Sequence, residues 1–485
     1  MSIAMTGLLA LVPLFAAAAE PPAPHGVTPS ERHMKWHELE FYGFVHFTTN
    51  TFTDKEWGYG DESPEVFNPT DFDAAQLANT ARDAGMRGLI LTCKHHDGFC
   101  LWPSRFTKHS VAASPWRDGK GDVVRELSDA CRAAGIKFGV YLSPWDRNHP
   151  EYGRPAYIEY YRNQIRELLT NYGPVFEVWF DGANGGDGWY GGAKEKRTID
   201  AGYYDWGNTW KIVRELQPEA VMFGDAGCDI RWVGNEAGYA GDPCWATYTP
   251  QGKDGKAPSP GNTVYQLGEN GTRNGEFWMP AEVDVSIRPG WFYHKKEDKK
   301  VRTPDNLMKL YFESVGRGAS LLLNLPPDRR GRFHENDTAS LSEFGRRLAA
   351  TFGADLARGA KASASNTRGN DPRYAPERVI DGDRSTYWCS DDAALTPELV
   401  LDLGGPATFD VVSLREHLPL GLRVDDWALD RREGGEWREF AKGTSIGNRR
   451  LWRGDAITTD GVRLRITSAA ACPAISEFAL HLEAK

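Results

Sequence analysis

The residue best suited to chemistry is a carboxylate that follows an apolar segment. Asp181 comes directly after Phe176-Glu-Val-Trp-Phe180 and directly before Gly182. A strand that ends at an aspartate holds a short side chain at the edge of a sheet, where the group can act as a nucleophile, an acid or a base. An aspartate here can equally cap a helix or stabilise a turn, and the spacing alone does not separate these roles.

A second carboxyl group is needed for paired-carboxylate chemistry. Hydrolysis of a glycoside with retention of configuration uses an ionised nucleophile and an acid of raised pKa, about 5 Å apart. One candidate, Glu236, lies in the loop Arg231-Trp-Val-Gly-Asn-Glu236-Ala-Gly, whose glycines and length let a glutamate reach a substrate. Spacing does not choose among the four candidates, which are Asp225, Asp229, Glu236 and Glu282.

The adjacent residues His95, His96 and Asp97 are open to interpretation as a metal site. Neighbouring side chains at a strand end point in different directions, and no further His or carboxylate occupies an obvious third ligand position. We therefore favour histidines that hydrogen-bond to substrate hydroxyl groups. No metal and no cofactor are predicted for this region.

The elements that position these residues are alternating strands and helices in the first two-thirds of the chain. Short apolar segments alternate with amphipathic ones, several of which stop at a glycine. Near-continuous apolar strands joined by helices indicate a parallel sheet, closed into a (β/α)8-like barrel of the TIM type over residues 28–356. The predicted strands are 41–47, 88–94, 137–142, 176–180, 220–223, 278–282 and 319–324, and the main predicted helices are 72–84, 122–134, 157–172 and 210–216.

Polar residues recur at the ends of these predicted strands. In such barrels the catalytic groups lie at the carboxyl ends of the strands, so recurrence at that one position is difficult to explain as core packing. The residues that show it include His46, Lys94, Ser143, Asp181, Asp225 and Asn324.

The remainder of the chain, 357–485, has the pattern of an antiparallel β-sandwich, with short alternating segments separated by Gly, Asp and Pro. The chain has seven cysteines with no metal-binding spacing, and a bridge between Cys389 and Cys472 is one open pairing. We expect Arg449, Arg450 and Arg453 to form a solvated surface.

The composition of the chain limits the classes of partner that it can bind. A formal net charge of -10 on 485 residues argues against nucleic acid or an anionic membrane as the main partner. Seventeen tryptophans are heavy usage; most are expected in the core, and the rest suit stacking on sugar rings.

The apolar segment from Met5 to Leu14, followed by alanines up to Ala19, predicts a signal peptide over residues 1–19 and export to periplasm or medium. We expect the proline-rich stretch after it to be disordered, and no membrane span is predicted.

Six motifs follow one another over residues 36–327. They are Gly43-Phe-Val-His46-Phe, Glu56-Trp57-Gly58, Lys94-His-His-Asp-Gly-Phe99, Val140-Tyr-Leu-Ser143, Trp179-Phe-Asp181-Gly and Ser286-Ile-Arg-Pro-Gly-Trp291-Phe-Tyr. In this order they resemble the α-L-fucosidases of glycoside hydrolase family 29. The segment 231–236 resembles the branch of that family that prefers α-1,3 and α-1,4 fucosyl linkages.

The resemblance implies a retaining exo-α-L-fucosidase that acts on a fucosylated oligosaccharide or glycan without a cofactor. It implies that Asp181 is the nucleophile and Glu236 the acid/base. Trp291 would pack against the C5 methyl group of fucose, where an apolar wall disfavours a hydroxymethyl group. The full set of implied substrate-binding residues is His46, Glu56, Trp57, His95, His96, Tyr141, Trp232 and Trp291.

A second resemblance covers the tail. Ala362-Ser-Ala-Ser365, Val379-Ile-Asp-Gly-Asp383-Arg-Ser-Thr-Tyr-Trp388 and Leu399-Val-Leu-Asp-Leu403-Gly resemble the discoidin-like (coagulation factor 5/8 type C) modules, many of which bind carbohydrate. The resemblance also raises the hypothesis of a structural calcium ion at Asp381 and Asp383.

Two alternative functions remain open at this stage. The chain could be a non-catalytic fucose-binding protein built on an inactive barrel, which the presence of both Asp181 and Glu236 argues against. It could also be a related glycosidase for a different sugar, such as a galactosidase. The sequence does not indicate an oligomeric state.

Overall fold

The computed structural model describes residues 19–485, which form a barrel followed by an antiparallel β module. Residues 1–18, which hold nearly all of the predicted signal peptide, lie outside the described residues. No helix within residues 19–485 is both long and apolar enough to cross a membrane. The barrel strands are β1 Phe41–Val45, β2 Gly88–Lys94, β3 Lys137–Leu142, β4 Glu177–Trp179, β5 Val221–Phe223, β6 Arg231–Trp232, β7 Ala281–Ser286 and β8 Ser320–Asn324.

These eight strands form one parallel sheet in the order β5-β4-β3-β2-β1-β8-β7-β6. A parallel bridge between Phe223 and Ile230 connects the two edge strands, so the sheet closes on itself. Because all strands run in the same direction, their carboxyl ends meet at one mouth. The predicted (β/α)8-like barrel is confirmed.

The helices outside the barrel follow local signals in the sequence. Asp122 caps the helix after β2 by accepting from the backbone N–H of Arg125, and Gly135 ends that helix at φ 74°. Such a left-handed position favours glycine, which has no Cβ to clash. The helices are α1 Glu31–His37, α2 Thr49–Thr53, α3 Ala74–Asp83, α4 Val123–Ala134, α5 Pro155–Asn171, α6 Trp206–Leu216, α7 Gln266–Asn270, α8 Pro304–Ser314 and α9 Glu335–Phe352.

Two predictions about the later strands were wrong. Residues 278–282 were expected to form a barrel strand, but Phe277–Trp278 pairs with Thr247–Tyr248 in a separate two-stranded ladder, and the barrel strand starts at Ala281. The sixth barrel strand, Arg231–Trp232, lies within the segment expected to be a loop. Two residues are too few to produce a periodic pattern, and only pairing with β7 makes them a strand.

The C-terminal module consists of antiparallel strands around a core of its own. The pairing of its two longest strands contains register shifts, which bend and twist strands locally. Residues Glu398–Glu416 form a single strand, although their sequence has the pattern of short alternating segments separated by Gly and Pro. The strands are β9 Lys361–Ala364, β10 Trp388–Cys389, β11 Glu398–Glu416, β12 Val424–Glu433, β13 Glu436–Thr444, β14 Arg450–Ala469 and β15 Ala474–His481.

Cys389 and Cys472 face each other inside this module. Their sulfur atoms are 3.9 Å apart, and all seven cysteines within residues 19–485 are free thiols. Arg423 donates a hydrogen bond to the Cys472 sulfur. The considered bridge is therefore not formed in this structure, although its two partners are neighbours.

The proline-rich segment after residue 18 was expected to be disordered, and this prediction was wrong. Residues 19–28 run along the surface of the C-terminal module. Arg368 and Arg423 donate to the carbonyl groups of Glu20 and Ala23, and the N–H of His25 donates to the carbonyl of Leu420. Prolines lack N–H donors, so these carbonyl groups carry most of the attachment.

Glu40 joins the two modules. It precedes β1, and its carboxylate contacts three guanidinium groups of the C-terminal module, those of Arg384, Arg415 and Arg449, at 2.7–3.0 Å. Although burial opposes ionisation, these arginines hold the pKa of Glu40 well below its usual range. Arg449 and Arg450 are thus buried and not part of a solvated surface, because packing against the barrel pairs Arg449 with Glu40 and Arg450 with Asp242.

We expect Glu40→Gln to lower the free energy of unfolding by about 3–5 kcal/mol, since it leaves buried guanidinium groups without their carboxylate. Because the folded pKa is depressed, this stabilisation is present above the unfolded pKa near 4.3 and is lost as the pH falls further. The measurement is urea unfolding followed by tryptophan fluorescence at several pH values. The exposed neighbour Glu38→Gln is the control, with a change below about 0.5 kcal/mol; equal effects of both variants would contradict the role of Glu40.

Candidate active site

A pocket of about 250 Å³ opens at the carboxyl ends of the barrel strands. Most predicted site residues lie around it, although they come from separate parts of the chain. The predicted residues that line the pocket are His46, Glu56, Trp57, His95, His96, Tyr141, Asp181, Trp232, Glu236 and Trp291.

Asp181 lies just beyond β4, with its side chain 22% exposed toward the pocket. The Tyr141 hydroxyl donates to Oδ2 at 2.8 Å, and the backbone N–H of Ala183 donates to Oδ1 at 2.8 Å. Burial raises the pKa of Asp181 above its usual value, and these two donors oppose that shift by stabilising the carboxylate. The carboxylate is therefore oriented and held from two sides.

Glu236 reaches the same pocket from the loop that follows β6. Its Oε2 accepts a hydrogen bond from the indole N–H of Trp291 at 3.2 Å. Burial raises the pKa of Glu236, and the negative charges of Asp181 and Glu56 raise it further, while the Trp291 hydrogen bond lowers it. The environment thus favours a protonated Glu236 more than an ordinary glutamate.

The other three carboxylates that were considered as partners of Asp181 have different tasks. Asp225 lines the pocket, but both of its oxygens accept hydrogen bonds from the segment at Gly261 and Thr263. Asp229 pairs with Arg214 outside the pocket. Glu282 lies inside the barrel, where it accepts from Tyr42 and from the indole N–H of Trp179 at 2.8 Å.

His46 is oriented by Asn324. The Nδ2 of Asn324 donates to the hydroxyl of Ser286 and to the carbonyl of Trp291, so its Oδ1 is the acceptor for His46 Nδ1–H at 2.7 Å. Burial lowers the pKa of His46 to about 3. The imidazole is therefore neutral, and its Nε2 is left as a hydrogen-bond acceptor.

His96 is fixed in the same way. The Ser143 hydroxyl donates to the carbonyl of Trp145 at 2.7 Å and so accepts from His96 Nδ1–H, also at 2.7 Å. Burial lowers the pKa of His96 to about 3, and its Nε2 lies 3.7 Å from Asp181 Oδ2. His96 Nε2 and the carboxylate of Asp181 are thus neighbouring acceptors for the hydroxyl groups of a ligand.

His95 is held by packing. Its ring stacks on Tyr141 with 5.7 Å between centroids, and its Nδ1 is buried without a hydrogen-bond partner among the described residues. Burial holds the pKa of His95 well below its usual value.

Glu56 is anchored by His294, a residue that sequence reasoning missed. Its oxygens accept from the backbone N–H groups of Trp291 and Phe292 and from His294 Nε2 at 2.6 Å. Burial opposes protonation of His294, but its hydrogen bonds to Asp54 and Glu56 raise its pKa above the usual value. His294 follows directly after the Ser286–Tyr293 motif, and this position in the sequence is a signal that could have identified it.

Aromatic rings complete the walls. Trp57 is 50% exposed and meets His96 edge-on, a geometry that suits stacking on a ligand. Trp232 donates to Asp284 at 2.7 Å and meets Tyr265 edge-on, on the side of the pocket next to Glu236. Asp284 and Tyr265 were not predicted, although Asp284 lies two residues after the end of the predicted strand 278–282.

Metal ligation finds no support in the geometry. Within residues 19–485, no group of three or more His, Cys, Asp or Glu side chains is placed to hold a metal ion. In the loop considered for calcium, Asp383 accepts from Ser385, and Asp381 accepts from Thr386 and from the backbone N–H of Asp383. The calcium hypothesis stays a prediction.

Comparisons with known proteins agree with this geometry. The sequence profile of the family described as alpha-L-fucosidase matches residues 23–351, and that of the F5/8 type C domain matches residues 360–478. Alpha-L-fucosidase 1 of Arabidopsis thaliana is 40% identical over 95% of this chain and 89% of its own length.

Two solved structures are similar over nearly the whole chain. A putative alpha-L-fucosidase from Bacteroides thetaiotaomicron superposes with a TM-score of 0.85 at 39% identity, covering 95% of this chain and 99% of the other. A Ruminococcus gnavus fucosidase of glycoside hydrolase family 29, solved in complex with fucose, gives 0.86 at 33% identity, covering 97% and 98%. The chain belongs to the α-L-fucosidases of glycoside hydrolase family 29 and carries a C-terminal F5/8 type C domain.

Proposed function

We propose that this α-L-fucosidase is a retaining exo-enzyme in which Asp181 is the nucleophile and Glu236 the acid/base. The observation that carries the proposal is that these two carboxyl groups line one pocket with different partners. Burial raises the pKa of both, but Asp181 accepts two hydrogen bonds that favour its ionised form, whereas Glu236 accepts one and has its pKa raised further by the charges of Asp181 and Glu56. Such a division of roles is what double displacement requires.

In the first step an oxygen of Asp181 attacks the anomeric carbon of the terminal fucose. The bond from that carbon to the glycosidic oxygen breaks, and Glu236 transfers its proton to the leaving oxygen, so that the aglycone departs as an alcohol. In the second step Glu236 takes a proton from water, whose oxygen attacks the anomeric carbon. The ester to Asp181 then breaks, and fucose leaves with its original configuration.

Neutral histidines provide the recognition of sugar hydroxyls. His46 and His96 each present Nε2 as an acceptor, because their Nδ1–H groups are used by Asn324 and Ser143. The walls formed by Trp57 and Trp291 contact apolar faces of the sugar, including the C5 methyl group in the case of Trp291. This apolar contact supports fucose over a hexose with a hydroxymethyl group, and with it fucosidase over galactosidase activity.

The aglycone side of the pocket is next to Glu236, where Trp232 and Tyr265 form an aromatic corner. A branched aglycone would place a second sugar ring against this corner. We therefore extend the proposal to terminal fucose in α-1,3 or α-1,4 linkage on oligosaccharides or glycoconjugates. The apolar segment at residues 5–14 supports export of the enzyme to the periplasm or the medium.

Removal of either carboxyl group tests the two roles. Asp181→Ala should have no measurable turnover. Glu236→Ala should lose about 10²- to 10⁴-fold activity on oligosaccharides. With an activated aryl fucoside and azide, Glu236→Ala should regain turnover and release α-fucosyl azide, because azide attacks the fucosyl-enzyme without a base. Near wild-type activity of Glu236→Ala on oligosaccharides would contradict the assignment of Glu236 as the acid/base. If NMR shows that the unmodified enzyme first releases β-fucose, retention of configuration is excluded.

The dependence of the rate on pH tests the environment of Glu236. The acid must be protonated, so its pKa sets the basic limb of kcat/KM. Trp291→Phe removes a donor that lowers the pKa of Glu236, so the limb should move to higher pH. Trp57→Phe, which leaves that hydrogen bond intact, should not move it. A limb that stays in place in Trp291→Phe would show that another group controls it.

A substrate panel tests the linkage. Rapid release of fucose from Lewis a and Lewis x trisaccharides, with slow release from 2'-fucosyllactose, is the expected result. Trp232→Ala should reduce kcat/KM for the Lewis sugars by about tenfold and leave the rate on an aryl fucoside within about twofold, since only the branched sugars reach the corner. Rapid cleavage of 2'-fucosyllactose by the unmodified enzyme would contradict the linkage proposal.

A further inference from the structure

A second cleft lies where the C-terminal module meets the barrel. It has a volume of about 320 Å³, and side chains of both modules line it. Helix α8 and the turn after it form one wall, and strands β12, β13 and β14 form the other. The backbone N–H of Leu451 donates to the carbonyl of Gly316 at 2.9 Å, which fixes the two walls relative to each other.

The lining of the cleft has more cationic than anionic side chains, on a chain with a net charge of -10. Its lining contains five cationic side chains, namely Lys309, Arg317, Lys442, Arg450 and Arg453. Three carboxylates balance part of this charge, those of Asp242, Glu313 and Glu483. The five cations therefore exceed these carboxylates by two charges, although the chain as a whole is acidic.

The least compensated cations are the two lysines. Lys309 reaches Glu313 only at 3.9 Å, and Glu313 also serves Arg317 at 3.8 Å. Lys442 is exposed on β13 and has no ion-pair partner among the described residues. Lys309 and Lys442 lie on opposite walls of the cleft.

An aromatic ring lies among these charges. Trp452 is half-buried in the lining, and it packs edge-on against Phe440 at 4.9 Å. A Cβ at Gly454, two residues along the same strand face, would come within 2.2 Å of the indole, so glycine lets the ring lie flat on the strand. Arg450, only 6% exposed, packs over Trp427 below it at 5.8 Å. Fixed indole and cationic groups together match a sugar ring that bears an acid group.

We propose that this cleft is a binding site for acidic carbohydrate, a sugar that carries a carboxylate or a sulfate ester. Trp452 contacts the ring, and Lys442 and Lys309 hold the acid group. The site is separate from the pocket of Asp181 and does not depend on the function proposed for that pocket. It requires both modules, because each contributes one wall.

Calorimetry at 50 mM salt tests the proposal. It measures how the full enzyme binds oligogalacturonate, dextran sulfate and neutral dextran. One or both acidic probes should bind, and comparison of the two tells a carboxylate from a sulfate site; neutral dextran should not bind. Lys442→Glu should weaken binding at least about fivefold, and affinity should fall with added salt, since exposed charges are screened. Lys361→Glu, a charge reversal elsewhere in the module, should leave the affinity within about twofold.

Trp452→Ala separates sugar recognition from simple attraction of charge. It should weaken binding of the acidic saccharide by about two- to tenfold. The matched variant Trp437→Ala, in the same module, should have no such effect. Poly-L-glutamate should bind less tightly and should not respond to Trp452→Ala. Any one of three results would overturn the proposal. Poly-L-glutamate could bind as tightly as the acidic saccharides, Lys442→Glu and Lys361→Glu could have equal effects, or neither acidic probe could bind.

Discussion

The structure depends on one constraint, the burial of polar groups at the mouth of the barrel. Eight parallel strands bring their carboxyl ends together, and the polar residues that follow them lose most of their water. Burial is the largest cause of the pKa shift at Asp181, Glu236, His46 and His96 alike. Each group therefore needs a defined partner, because a buried polar group without one is costly.

These partners give the site its chemical asymmetry. Asn324 and Ser143 use the Nδ1–H groups of two histidines and thereby leave acceptors facing the sugar. Tyr141 and the backbone of Ala183 supply donors to Asp181, whereas Glu236 receives a single donor from Trp291. Two carboxyl groups of similar intrinsic acidity thus have different hydrogen-bond partners in one pocket. Such a difference is what the proposed double displacement requires.

The C-terminal module is attached through charge as well as through packing. Glu40, next to the first barrel strand, is surrounded by three arginines of the module, and residues 19–28 bind the module's surface through their carbonyl groups. This attachment creates the cationic cleft between α8 and the module's strands.

The sequence by itself determined the barrel, the second β module, and the family, because apolar strands, helix caps and motifs are local signals. Asp122 and Gly135, at the two ends of α4, show how local these signals are. The strand Arg231–Trp232, the attachment of residues 19–28, and the burial of Arg449 were decided only by tertiary structure. Each depends on a partner far away in the chain, namely β7, the C-terminal module and Glu40. The partners of Asp225, Asp229 and Glu282 belong to the same class, since only the folded chain shows which groups these carboxylates bind.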